Sequence, residues 1–279
     1  MKQKHFALLV LLSPVLLSSC VVGKPKDLTP PASSIASAVD PSSIQGAKVL
    51  FVGNSFTYWN NIPGIAEEIG KSLGMGIECE SITKGSQKLI DTANASNEIG
   101  ALLETALTTK KYTHIVLQEQ STLPVKNYSQ YVEAVKKIAK RIEQTQDSPE
   151  VYLYSTWGYT NMCEGGETIP QCEARLRDAT FQCAIETGLK ATYVGEAFSE
   201  AYDQYADKGF LYCSDAKHPS YAGSFLSAAT HIASMFQVDV RESGFLGTPG
   251  VILDAREECV VKPDVAANLK KIAYEVGVN

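Results

Sequence analysis

The chain predicts an α/β fold of three layers, a mainly parallel sheet wound doubly with helices on both faces. Two observations carry this. Strand-like and helix-like segments alternate over most of the length, and the first strand is apolar without a break, as in a sheet covered on both sides. The part of the chain beyond residue 45, about 230 residues, suffices for one well-buried core and is short for two.

The first strand lies in Lys48-Val49-Leu50-Phe51-Val52-Gly53-Asn54-Ser55, where Gly53 is read as giving the backbone freedom for a sharp exit. A helix beginning near Pro63 follows, with Ile62, Ala66, Ile69 and Leu73 at the 3.6-residue period and Glu67 and Glu68 on the other face. Next come a strand over 77–82, a helix carrying Ile99, Leu102, Leu103 and Leu107, and a strand over 114–117. The helix over 128–142 sets Tyr131, Ala134, Val135 and Ile138 on one stripe. A strand over 151–154, a helix over 174–189, a strand over 191–194 and a helix over 221–235 complete the alternation. Residues 244–279 are less regular and close with a helix over 265–276, read as packing across the sheet edge.

The amino terminus is organised differently. Residues 1–20 have the charged start and short apolar core of a secretory signal, too short to span a membrane. Their ending, Leu17-Ser18-Ser19-Cys20, looks like a bacterial lipobox, which would make Cys20 the lipid-bearing first residue of an exported lipoprotein held in the cell envelope; a plain cleavage site is the competing reading. Residues 21–45, rich in Pro, Ser and Ala, read as a tether spanning roughly 25 to 30 Å. Residues 46–279 then form one domain. A net charge of −6 without a run of Lys or Arg argues against a nucleic-acid partner.

Ser55 ends up at the carboxyl end of a strand, where open α/β sheets bind ligands, and is a candidate nucleophile; ordinary helix capping explains the Asn-Ser pair equally well on this stretch alone. A second stretch, Ser214-Asp215-Ala216-Lys217-His218-Pro219-Ser220, decides between them. Of the four histidines, His5 lies in the targeting segment, His114 in an apolar strand and His231 in a helical pattern. His218 sits in a polar loop three residues after Asp215, so one turn presents a base and its orienting carboxylate together, and Pro219 is read as opening the next helix.

These two stretches together resemble the SGNH, or GDSL-like, hydrolases, in which an early Gly-Asp-Ser supplies the nucleophile and a late Asp-x-x-His completes the triad. The resemblance covers residues 48–220. It implies a five-stranded, flavodoxin-like sheet and an oxyanion hole made by the backbone N–H of Ser55, the backbone N–H of Gly85 after the second strand, and an amide after the third strand, here Gln120 in Gln118-Glu119-Gln120-Ser121. Three positions depart from the family pattern. Asn54 stands for Asp, Gln118 for Gly, and Gln120, one methylene longer, for Asn. Asn54 and Trp157 are candidates to contact substrate, Trp157 lying on the same sheet edge as Ser55; Trp157 filling the core rim is the alternative, and Tyr212 poses the same choice.

The expected activity is a serine esterase, needing no metal or organic cofactor, that removes short acyl groups from carbohydrates outside the cytoplasm. Its rival is a glycan-binding lipoprotein without turnover. The loops after the strands, such as residues 121–124 and 158–170, are polar, and no long apolar stretch offers a groove for a long acyl chain. Six cysteines follow Cys20; in an exported chain Cys163 and Cys172 are the first disulfide candidates, buried free thiols are the alternative for Cys79 and Cys183, and zinc is disfavoured for want of a Cys-x-x-Cys.

Overall fold

Residues 38–278 are described by the computed structural model of the chain. The expected signal segment with Cys20, and residues 21–37 of the expected tether, lie outside the described residues. Residues 38–45, expected in the tether, instead join the domain. The Val39 N–H donates to the Gln237 carbonyl at 2.8 Å, Asp40 caps a 3-10 turn, Pro41–Ser43, and the Ile44 carbonyl accepts from the Gly76 N–H at 2.9 Å.

In chain order the elements are β1 (Ala47–Gly53), α1 (Ser55–Tyr58), α2 (Ile62–Ser72), β2 (Ile77–Thr83), α3 (Leu89–Thr92), α4 (Glu98–Thr109), β3 (His114–Leu117), α5 (Leu123–Lys126), α6 (Tyr128–Thr145) and β4 (Glu150–Ser155). Then follow α7 (Ile169–Thr187), β5 (Lys190–Tyr193), α8 (Val194–Gln204), α9 (Tyr221–Phe236), β6 (Gly247–Ile252), β7 (Glu258–Val260) and α10 (Pro263–Gly277). The first five strands form one parallel sheet in the order β2-β1-β3-β4-β5, with Val49 opposite Cys79 on one side and His114 on the other. The chain reverses its direction across the sheet at β1, so the carboxyl ends of β1 and β3 flank the switch point where such sheets hold ligands.

The pleat sends alternate side chains of each strand to opposite faces. Val49, Phe51, Val116, Tyr152 and Tyr154 pack on one side with α2, α8, α9 and α10; Leu50, Val52, Ile115, Leu117 and Leu153 pack on the other with α4 and α6. Each fully buried side chain of this kind contributes about 1.5–3 kcal/mol, and the two layers together explain why the strands read as unbroken apolar runs.

Several elements differ from the sequence expectation. Helix α7 starts five residues before 174, because Thr168 and Gln171 form a reciprocal capping box with Pro170 in the first turn. Helix α8 follows β5 with no intervening turn and had no sequence signal. Pro219 precedes α9 rather than opening it: Ser220 is the cap, accepting from the Gly223 N–H at 3.2 Å. The irregular segment contains the antiparallel pair β6–β7, and α10 packs on α9 rather than across the sheet edge, with Gly277 so near Ala233 and Ser234 that a Cβ would clash. Among the described residues no helix is long and apolar enough to cross a membrane.

Candidate active site

Ser55 opens α1 directly behind β1, and the turn that presents it is fixed from three sides. Gly53 is required for a close approach: a Cβ there would stand 2.5 Å from the Gln118 Oε1 and the Thr57 Oγ1. Buried Gln118, at the end of β3, accepts from the Asn54 N–H at 2.8 Å and from the Thr57 hydroxyl at 3.0 Å. Asn54 caps α1, its Oδ1 accepting from the Phe56 N–H at 3.1 Å, while its Nδ2 donates to the Gln87 carbonyl at 3.0 Å. With both ends of its side chain bonded and 3% exposure, Asn54 is a cap and not the substrate contact expected of it. Two departures from the family pattern thereby gain a reason. A carboxylate could not donate to Gln87, and a glycine at 118 could not reach Asn54 or Thr57.

The loop from Leu211 to Ser220 is a small hairpin. Ser220 N–H donates to the Leu211 carbonyl at 2.9 Å and Cys213 N–H to the His218 carbonyl at 2.7 Å, while Ala216 takes a left-handed φ of 54° at the tip. Asp215 folds back on this tip: its Oδ1 accepts from the backbone N–H groups of Lys217 at 3.0 Å and His218 at 2.9 Å. Its Oδ2 lies 2.5 Å from the His218 Nδ1, and the His218 Nε2 lies 2.8 Å from the Ser55 Oγ. The carboxylate fixes the ring proton on Nδ1, leaving Nε2 to accept from the serine. Partial burial pushes the Asp215 carboxyl up, but the hydrogen bonds from His218 and Lys217 outweigh it and hold the group below its ordinary value. The Asp215 side chain is 45% exposed and that of His218 17%, so the relay lies near the surface.

The backbone N–H groups of Ser55 and Gly85 donate to no protein acceptor among the described residues. Gly85 occupies an exposed turn after β2, with the Tyr58 hydroxyl nearby. The Gln120 Oε1 is tied back to the Thr122 N–H and hydroxyl at 3.0 Å each, and its Nε2 makes only a long contact, 3.4 Å, with the Ser121 Oγ. Beside it, Glu119 joins two loops, its Oε1 accepting from Leu89 N–H at 3.0 Å and Gln120 N–H at 2.6 Å. Burial pushes its carboxyl up to about 7, and Oε2 is buried without a partner.

Trp157 does not line a pocket. It is fully buried, stacked between Phe56 at 4.5 Å and Phe198 at 4.4 Å, and its indole N–H donates to the Lys217 carbonyl at 3.0 Å, bracing the hairpin from beneath. Tyr212 does related work, donating to the Gly158 carbonyl at 2.9 Å. Of the aromatics against the relay, Trp59 stacks on the His218 ring at 4.1 Å and 13°. No sequence signal marked it.

All six described cysteines are free thiols, so the expected Cys163–Cys172 disulfide is absent; the two are neighbours nonetheless, and burial together with Cys163 pushes Cys172 up to about 12. Among the described residues no group of three or more His, Cys, Asp or Glu is placed to hold a metal ion. Two open surface cavities of about 500 Å³ lie elsewhere: one near Lys48, Lys111 and Thr113 at the amino ends of the strands, the other between α2 and the β6–β7 pair. Neither is lined by Ser55, His218 or Asp215.

No family model and no curated protein sequence matches the chain. Solved structures do. A protein from Slackia heliotrinireducens taken to be an SGNH hydrolase shares 25% identity at a TM-score of 0.58, over 68% of this chain and 98% of its own. A DUF4886 family protein from Bacteroides uniformis aligns at 18% identity and a TM-score of 0.67, covering 82% of this chain and 93% of that one. A lipase/acylhydrolase from Enterococcus faecalis aligns at 12% identity and a TM-score of 0.51, covering 68% and 96%, a likeness of fold.

Proposed function

We propose, from the SGNH-like hydrolase superfamily that the structural likeness supports, that the chain is a serine esterase of short-chain acyl esters. One observation carries the reading: an unbroken relay from Asp215 through His218 to the Ser55 hydroxyl, assembled from a strand end and a loop 163 residues apart. In the proposed reaction Ser55 Oγ attacks the ester carbonyl as His218 Nε2 takes its proton. The tetrahedral oxyanion is held by the Ser55 and Gly85 N–H groups and the Gln120 amide, His218 returns the proton to the departing alcohol, and water then releases the acyl group by the same route. A glycan-binding module without turnover, the alternative class, has no physical need of this relay.

The preferred substrate is a short acyl ester, acetyl above all, on an extracytoplasmic carbohydrate, with the enzyme held to a membrane by a lipid on Cys20. Three features support the short chain: the exposed Asp215, the polar loops around the relay, and Trp157, an aromatic expected to face the pocket, being committed to the core. Each methylene of a longer chain needs apolar surface to yield about 0.8 kcal/mol. The test is a series of nitrophenyl esters alongside an acetylated polysaccharide. Catalytic efficiency should fall beyond about four carbons. A steady climb to eight or more carbons would contradict the short-chain reading.

A further inference from the structure

Trp59 is held against the catalytic histidine by more structure than a filler ring would need. Its backbone N–H donates to the carbonyl of Ser55, so one turn of helix links nucleophile and indole. The next two residues, Asn60 and Asn61, both take left-handed φ values, 51° and 57°, a costly pair for side chains other than glycine. The surroundings offset that cost. Asn60 is fully buried and every polar group of its side chain is bonded: Nδ2 donates to the Pro219 carbonyl at 3.1 Å and the Ser224 hydroxyl at 3.0 Å, and Oδ1 accepts from the Ala255 N–H at 2.9 Å. Its backbone N–H donates to Asp254 at 3.1 Å. Asn60 thus ties the end of the nucleophile segment to the residue after His218 and to the connection between β6 and β7.

The product of this bracing is an indole parallel to the imidazole, 4.1 Å away, with the edge of Phe56 at 5.7 Å and 72° on a second side. The indole N–H is buried beside the Cys213 thiol, on the same hairpin as His218. A neutral imidazole gains dispersion from such a ring. An imidazolium gains in addition the attraction of a cation for the π face, strongest for Trp. In the proposed reaction an imidazolium forms as His218 takes the Ser55 proton, so the extra attraction grows toward the transition state.

We propose that Trp59 is a positioning residue for His218, an aromatic platform that holds the ring toward Ser55 and stabilises the imidazolium as it forms. The proposal rests on the esterase reading for its kinetic consequence but not for its geometric one, and the two are separable. Trp59→Leu should lower kcat for a nitrophenyl acetate about tenfold with KM within twofold, and Trp59→Phe should restore most of the loss. Thermal melting of the two variants should be similar, since both keep an apolar side chain at this half-buried position.

The geometric arm uses proton NMR of the same proteins. The far-downfield proton shared by His218 Nδ1 and Asp215 should be sharp in the unmodified chain and in Trp59→Phe, and broadened in Trp59→Leu. A Trp59→Leu variant with undiminished kcat, or one altered only in KM, would overturn the platform in favour of a bystander or a substrate wall. If the unmodified chain shows no turnover, the esterase reading falls and the NMR signal alone decides: unchanged in Trp59→Leu, it refutes the platform.

Discussion

At the scale of single residues, the site divides into groups read from the sequence and groups that only the fold discloses. Ser55, His218 and Asp215 were legible because their chemistry is scarce: four histidines, of which one has an acid at the right spacing in a polar loop. Their mutation should act on turnover alone. Ser55→Ala and His218→Ala should each cost about four to six orders of magnitude in kcat, and Asp215→Asn less, with melting temperatures little changed. A His218→Ala protein of near-native activity would contradict the assignment. Asn54, expected to contact substrate, is instead closed over by Gln87 and Gln118. Replacing its amide with a carboxylate sets negative charge against the Gln87 carbonyl. Asn54→Asp should therefore destabilise the protein by about 1–3 kcal/mol, measured by urea unfolding, and slow the esterase with it. Unchanged stability would show that the Asn54 amide is not needed there.

At the scale of elements, the parallel strands and long amphipathic helices were legible because period and length both pointed one way, while the failures have local physical causes. Helix α7 begins earlier than expected because its start is set by a cap and not by apolar periodicity; Thr168 with Gln171 three residues on, and Pro170 in the first turn, are the signature that marks it. The β6–β7 pair, with Gly247, Pro249 and Gly250 in a mostly exposed strand, gives no alternating pattern. Yet that pair reaches both halves of the site, through Asp254 to Asn60 and through Glu257 to the N–H of Tyr221. The His218 hairpin in turn lies on the first turn of α9, where a Cβ on Gly223 would stand 2.3 Å from the Leu211 carbonyl. Gly223→Ala should lift the hairpin, costing about 1–3 kcal/mol in stability and a larger share of kcat than of KM. Native kcat in a folded Gly223→Ala protein would mean that the hairpin does not depend on this contact.

At the scale of the whole molecule, three buried titratable groups give stability a pH signature. Burial pushes the Glu119 and Glu173 carboxyls up from 4.5 to about 7, and each keeps one oxygen buried without a partner. The fold thus favours their protonated forms, so their contribution is complete below about pH 4.5 and is lost as pH rises through about 7, by roughly 1–3 kcal/mol per carboxyl. His231, fully buried among Phe51 and Tyr154, is depressed by burial to about 3; its contribution runs the other way, present above about pH 6.5 and lost as pH falls. The slopes oppose each other, so the readable quantity is a difference: Glu173→Gln should gain stability relative to the unmodified chain as pH rises from 4.5 to 7, measured by chemical denaturation. A difference that is flat with pH would contradict the burial of that carboxyl's charge. The central claim, that the sheet and the hairpin together make Ser55 a nucleophile, is tested most directly by intact-protein mass after treatment with a fluorophosphonate. One adduct should form, located on Ser55, and it should vanish in both Ser55→Ala and His218→Ala. A folded protein that takes up no label, or takes it up equally without His218, would contradict the claim.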